Sequence, residues 1–127
     1  MEEIKDEKYS VTYDPVTATV AFQGILRVQG YLSYQPIERL LDKVIAQSLP
    51  TITLDIHKLA FINSSGIDVI YRFAYKMSSQ AHSRLIVRRL TQGAPWQERL
   101  ERTIEMMSPN LQVELVEGEI SDDEPTS

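Results

Sequence analysis

The stretch Thr51–Ile70, TITLDIHKLAFINSSGIDVI, limits what this chain can fold into more than any other segment. Ile52, Leu54 and Ile56 alternate with Thr51, Thr53 and Asp55, a period of two that predicts a strand over Thr51–Ile56. Phe61 and Ile62 are then read as anchoring a turn. Asn63-Ser64-Ser65-Gly66 supplies side-chain oxygens able to cap the free N–H groups of a helix beginning near Ser65. A strand delivered through a short connector into a helix requires a sheet with helices packed on it. The serine hydroxyls at such a junction are exposed, beside bare backbone donors and at the positive end of the helix dipole. A phosphate attached there would meet partial positive charge, so the junction reads as a switch position.

The rest of the chain supplies the other parts. Residues 1–7 are expected to be a flexible N-terminus, 8–117 a single domain and 118–127 a disordered acidic tail. Tyr9, Val11 and Tyr13 alternate with polar neighbours, Asp14-Pro15 marks a turn and Thr17–Leu26 resumes a strand, which together predict a β-hairpin. Gly24 suggests a bulge or strand end. Ser33–Pro36 resembles a helix start, with Ser33 or Tyr34 outside the helix and Pro36 near its first turn. Ile37, Leu40, Leu41, Val44 and Ile45 then follow a clean amphipathic period up to Pro50.

The second helix should run to about Ser79 with Ile67, Ile70, Tyr71, Ala74 and Met77 facing the core, while Asp68 and Arg72 pair on its wet side. Arg84–Leu90 predicts a strand. A third helix should turn Trp96, Leu100, Thr103, Ile104 and Met107 inward until Pro109 stops it, and Val113–Val116 predicts a short last strand. The order is β-β-α-β-α-β-α-β. Strands joined through helices are parallel neighbours with right-handed crossovers, so the expected fold is α/β, one mixed sheet with an N-terminal β-hairpin and helices mainly on one face.

Composition closes off several functional classes. Apolar residues make up 43% of 127, ordinary for a domain with a packed core and too many for a disordered chain. There is no cysteine, which removes disulfides, thiolate metal sites and thiol catalysis. The net charge of −5 argues against nucleic acid as a partner, because gripping a phosphate backbone takes concentrated Lys and Arg. Arg84, Arg88 and Arg89 flank the apolar Leu85-Ile86-Val87 and read as solvated strand ends. No apolar run is long enough to span or insert into a bilayer, and the opening MEEIKDEKYS lacks the apolar centre of a signal peptide, so the expected address is cytoplasmic.

With these elements in place, TLDIHKLAFINSSGIDVI resembles the signature of STAS domains, named for sulfate transporters and anti-sigma factor antagonists. Leu54-Asp55, Phe61-Ile62, Ser64-Ser65-Gly66 and Ile67 match that pattern in order and spacing, and the similarity extends over roughly Tyr9 to Val116. It implies a STAS-like sheet and a small regulatory module of the antagonist type, which binds a partner that is both a serine kinase and an anti-sigma factor and lets go when phosphorylated. Carried over, Ser64 is the phosphoacceptor and Ser65 the second choice. Ser65 also becomes the expected helix cap, with Asp68 completing a capping box. Asn63, Ser65, Gly66, Asp68 and Arg72 would form the helix-cap and partner-binding edge. Asn63 stands where the family usually has Asp, Asp68 replaces a small residue, and Arg27–Gln35 lacks the family's common Leu-Asp segment. These departures point to an alternative, a constitutive subunit of a larger assembly such as a lipid-transport ABC complex or a stress-signalling scaffold.

Catalysis is not expected. A serine hydrolase would need His57 to reach Ser64 with Asp55 orienting it, yet no Gly-x-Ser-x-Gly elbow surrounds either serine. His57 and His82 are the only histidines, too few for a metal site without cysteine, and no cofactor is expected. Trp96 reads as packing. Tyr71, Phe73 and Tyr75 cannot all face inward, so one or two should lie on the surface.

Overall fold

The computed structural model describes residues 2–80, 83–108 and 110–119. Its elements are strands β1 (Glu2–Lys5), β2 (Tyr9–Asp14) and β3 (Thr19–Leu26), helix α1 (Tyr31–Ala46), strand β4 (Thr51–Ile62), helix α2 (Ser64–Ser78), strand β5 (Arg84–Gln92), helix α3 (Pro95–Met107) and strand β6 (Gln112–Glu119). The strands lie side by side in chain order, β1 to β6. The first three are antiparallel, and β3 through β6 are parallel. Each parallel step crosses over through one helix, and repeated steps of the same hand leave α1, α2 and α3 together on one face. That face buries Val11, Tyr13, Val20, Phe22, Ile52, Leu54, Ile56, Leu85 and Val87 against the helices. The expected mixed α/β sheet with its hairpin is present.

Several boundaries move, for identifiable reasons. Residues 1–7 were expected to be flexible, but Glu2–Lys5 pair with Ser10–Tyr13 as an edge strand, and Ile4 packs against the core. Charged neighbours had hidden its single apolar residue. Helix α1 begins at Tyr31, two residues earlier than Ser33, with Gly30 as its N-cap at φ +89°. Tyr34 is thus inside the helix and only 2% exposed. Pro36, expected near the first turn, thereby falls inside the helix as its sixth residue and costs the bond that an N–H would make to the Leu32 carbonyl.

The largest shift is in β4, which continues through Ile62 where a connector was expected. Its partner β3 steps register between Ala21 and Gln23 and again between Gly24 and Ile25, so β4 carries extra residues around His57 and Ala60. Those bulges break the alternation and disguise the strand. Gly24 is required at the step: its φ is +92°, and a Cβ there would sit 2.2 Å from the Lys8 carbonyl oxygen.

Helix α2 buries Gly66, Val69, Ile70, Phe73, Ala74 and Met77, whereas Ile67 and Tyr71 are only partly covered. The expected stripe was off by one position because α2 lies between α1 and α3 and is packed from both sides. Of the three aromatics, Phe73 is buried and Tyr75 is exposed. In α3 the inward residues are Trp96, Gln97, Leu100 and Ile104, while Thr103 and Met107 are half-covered. Strand β6 runs to Glu119, past the expected start of the tail at 118. The remainder of that tail, His82 and Pro109 lie outside the described residues.

Candidate functional site

Asn63 organises the junction between β4 and α2. It is the N-cap of α2, with extended backbone (φ −85°, ψ 174°), and its Oδ1 accepts the Gly66 N–H at 3.0 Å. The same Oδ1 accepts from the Tyr34 hydroxyl at 2.7 Å, and Nδ2 donates to the Val28 carbonyl at 3.0 Å. Its backbone N–H donates to the Leu26 carbonyl at 3.0 Å. Gly66 N–H can only donate and the Val28 carbonyl can only accept, so the orientation of the amide is determined by its partners. Burial holds the Tyr34 hydroxyl above the ordinary phenol range, its hydrogen bonds pulling partly back, so it remains a protonated donor. One side chain thereby ties together the β3–α1 loop, α1 and the first turn of α2.

The expected cap was Ser65 with Asp68 completing a box. That is corrected here: the cap is Asn63, and the position three residues on is Gly66, which has no side chain to reach back. Gly66 is buried, and a Cβ there would lie 2.7 Å from Ile62 Cγ1 and 3.2 Å from the Tyr34 hydroxyl. Glycine lets the helix start this close to β4. With the cap assigned to Asn63, Ser65→Ala is expected to cost less than about 0.5 kcal/mol in a thermal melt, against about 1 kcal/mol for a true cap.

Ser64 and Ser65 are the first two residues of α2, and both are exposed. Ser65, Asp68, Val69, Arg72 and Tyr34 line a shallow cleft of about 170 Å³ between α1 and α2. Asp68 and Arg72 were expected to pair with each other. Arg72 instead reaches Glu38 on α1, with Nε 2.9 Å from Glu38 Oε1, and Lys76 reaches Asp42 at 2.8 Å. The i, i+4 partner loses because α1 presents carboxylates at the same level. Both pairs are exposed, so each contributes no more than about 1 kcal/mol and mainly sets the register of the two helices. Asn63 is half-buried, so the surface here is made by Ser64, Ser65, Asp68 and Arg72.

Next to this edge, the Arg27 guanidinium lies 4.9 Å from the centre of the Phe61 ring. Leu32, on the first turn of α1, is 73% exposed. All these residues sit at the carboxyl ends of β3 and β4, where open parallel sheets gather their binding residues.

His57 is directed elsewhere. Asp55, on the face opposite the helices, accepts both the His57 backbone N–H at 3.0 Å and Nδ1 at 2.5 Å. From His57 the rest of β4 runs roughly 16 Å, at the usual rise of a strand, before Asn63 and Ser64 follow. Arg88 sits between Asp55 (3.5 Å) and Glu114 (3.1 Å), and Arg89 is paired with Glu101. The three arginines of β5 are engaged within the fold, Arg84 with Gln112.

Sequence reasoning missed the most deeply buried polar residue among those described, Gln97, which is 0% exposed. The β4–β5 ladder ends at Asp55 and Arg88. Beyond that point Gln97 enters from α3: Oε1 accepts the Leu90 N–H at 3.3 Å, and Nε2 donates to the Ile56 and Leu59 carbonyls, both at 3.2 Å. It satisfies groups that the diverging strands leave unpaired. The signal was present, since Gln97, Leu100 and Ile104 share helical spacing, but a polar residue type conceals a core position.

No group of three or more His, Cys, Asp or Glu side chains able to hold a metal occurs among the described residues, and no described helix is long and apolar enough to cross a membrane.

Neither a family model nor a curated protein matches the sequence. The fold does match solved structures, and it is STAS-like. One is a chain of the crystal structure of the diguanylate cyclase SiaD in complex with its activator SiaC from Pseudomonas aeruginosa, with a TM-score of 0.70 and 11% identity over 91% of this chain and 100% of that one. Another is an anti-sigma factor antagonist from Mycobacterium paratuberculosis, with a TM-score of 0.51 and 17% identity over 87% of this chain and 82% of that one. At these identities the shared property is the architecture.

Proposed function

We propose that this protein is a cytoplasmic regulatory module without catalytic activity. It binds a protein partner through the exposed edge of α2 around Ser64 and releases it when Ser64 is phosphorylated. The observation that carries this reading is the placement of Ser64: exposed at the first position of α2, directly after a cap whose four hydrogen bonds belong to Asn63. A phosphate of about two negative charges is tolerated by the fold there, because it sits at the positive end of a helix and disturbs no buried bond. The same charge lies in the middle of the exposed surface, where it changes what can dock.

Two partner classes follow from the fold's likenesses. The antagonist fold favours a serine kinase that also acts as an anti-sigma factor. The likeness to the complex of a diguanylate cyclase with its activator favours a signalling enzyme whose activity this chain would turn on. Neither reading gives His57 or either serine a catalytic part.

Ser64→Asp should bind the partner recovered from native cells at least tenfold more weakly than wild type, and Ser64→Ala should stay bound. Tenfold is about 1.4 kcal/mol, which like-charge repulsion or desolvation at a docked surface readily supplies. The check is titration of the recovered partner with each variant, together with mass spectrometry of the protein from its native cell. Absence of phosphate on Ser64 and Ser65 under every condition, with Ser64→Asp binding like wild type, would replace the switch with a constitutive subunit of a larger assembly.

A further inference from the structure

We infer that Arg27 reads the phosphorylation state of Ser64, exchanging the ring of Phe61 for the phosphate; this rests on the reading of Ser64 as a phosphoacceptor. The backbone brings the two residues together. Leu26 and Ile62 are register partners and the last residues of β3 and β4, so Arg27 and Asn63 leave the two strands side by side. Asn63 then holds Arg27 from both sides, its N–H bonded to the Leu26 carbonyl and its Nδ2 to the Val28 carbonyl, each at 3.0 Å. Ser64 is the adjoining residue. Arg27 is itself exposed, and its guanidinium rests over Phe61, itself 37% exposed, at 4.9 Å from the ring centre.

An exposed cation over an aromatic ring is a weak association, whereas a guanidinium fork and a phosphate make paired, charge-assisted hydrogen bonds. Arginine also has a long side chain whose planar donors match phosphate geometry. Phosphate on Ser64 would therefore draw Arg27 across and uncover one face of Phe61. The modification then changes the surface at two points: a charge is added and partly neutralised at Ser64, and an aromatic face opens beside it. Arg72, the cation further along α2, is held by Glu38, and Lys76 by Asp42, whereas Arg27 is in no ion pair among the described residues and rests only on Phe61.

The test uses the full chain with phosphoserine encoded at position 64, in wild-type, Arg27→Gln and Arg27→Lys backgrounds. The phosphate is titrated by phosphorus-31 NMR. Its second ionisation, near pH 6 in a free phosphoserine, should have a midpoint about 0.5 unit lower in wild type than in Arg27→Gln, because a nearby cation favours the dianion. Arg27→Lys should fall between them. Tyr34, Asp68 and Arg72, which line the cleft beside Ser65, and Glu38, which holds Arg72, are the same in all three proteins, so the difference isolates Arg27. In parallel, proton contacts between Arg27 and the Phe61 ring, present in unmodified protein, should disappear in the phosphoprotein. Equal midpoints in wild type and Arg27→Gln, or an Arg27–Phe61 contact that survives phosphorylation, overturn the inference. Because the phosphate is encoded, this result is independent of any kinase. Failure to find Ser64 phosphorylated in cells would count against the switch and leave the Arg27 measurement standing.

Discussion

Replacing Gln97 with leucine is expected to destabilise the protein by about 3 kcal/mol, although leucine is similar in size and apolar. The side chain is fully buried and serves three backbone groups at once, the Leu90 N–H and the Ile56 and Leu59 carbonyls. Leucine leaves all three in the interior with nothing to bond. An orphaned buried group costs roughly 1–3 kcal/mol, and a domain has only about 5–15 kcal/mol to lose. For a chain of this size the melting temperature should fall by about 10 °C. Gly93 frames the same pocket, since a Cβ there would stand 2.2 Å from Gln97 Oε1. Urea unfolding measures the effect as a lower midpoint at unchanged slope. A loss under about 1 kcal/mol would mean that the strands re-pair or that water enters the split.

Asn63 should be the second most sensitive position, and the chemically small change to aspartate should be harmful. Asn63→Asp keeps an acceptor for the Gly66 N–H and the Tyr34 hydroxyl, and a carboxylate at a helix N-terminus gains about 0.3–1 kcal/mol. It also replaces the donor that holds the Val28 carbonyl with an oxygen, turning a 3.0 Å hydrogen bond into a repulsion. The net expectation is a loss of about 1–2 kcal/mol, the balance of a missing bond against the cap's added charge. Asn63→Ala removes the cap as well and leaves Tyr34 and Val28 without this partner, for about 3 kcal/mol. Amide exchange at Gly66 localises the damage: it should accelerate strongly in the alanine variant and little in the aspartate variant. An aspartate variant as stable as wild type would show that the β3–α1 loop does not depend on the amide.

This changes the meaning of the departure seen in the sequence. Against the family pattern, Asn63 looked like an aspartate that had lost its charge beside the phosphoacceptor. In the fold it is an amide used at both ends, bonding a donor with one atom and an acceptor with the other. Single-sequence reasoning could place Asn63 at a helix start, because capping is local chemistry between a side chain and the backbone three residues on. It had no access to Val28, 35 positions away, or to Tyr34. It also assigned the cap to Ser65, since a serine hydroxyl caps as readily as an amide and the choice between adjacent candidates depends on where the preceding strand ends.

The sequence by itself determined the features that repeat along the chain. Period two in Thr51–Ile56, the short apolar run Leu85-Ile86-Val87, a helical period in Ile37–Ile45 and turn residues at Asp14-Pro15 establish which segments are strands and helices. Their alternation establishes a parallel sheet with helices on one face. Exposure of Ser64 at a helix start follows from the same local rules. Only the tertiary structure decided what depends on partners distant in sequence: the extension of β4 through two bulges, the capture of Arg72 by Glu38 in place of Asp68, the insertion of Gln97 between diverging strands and the bracketing of Arg27 by Asn63. The division has a physical cause. Hydrophobic periodicity and capping are satisfied within a few residues, so they are written in the local sequence. A buried hydrogen bond or ion pair goes to whichever group the folded chain brings within about 3 Å, and that choice exists only once the layers have packed.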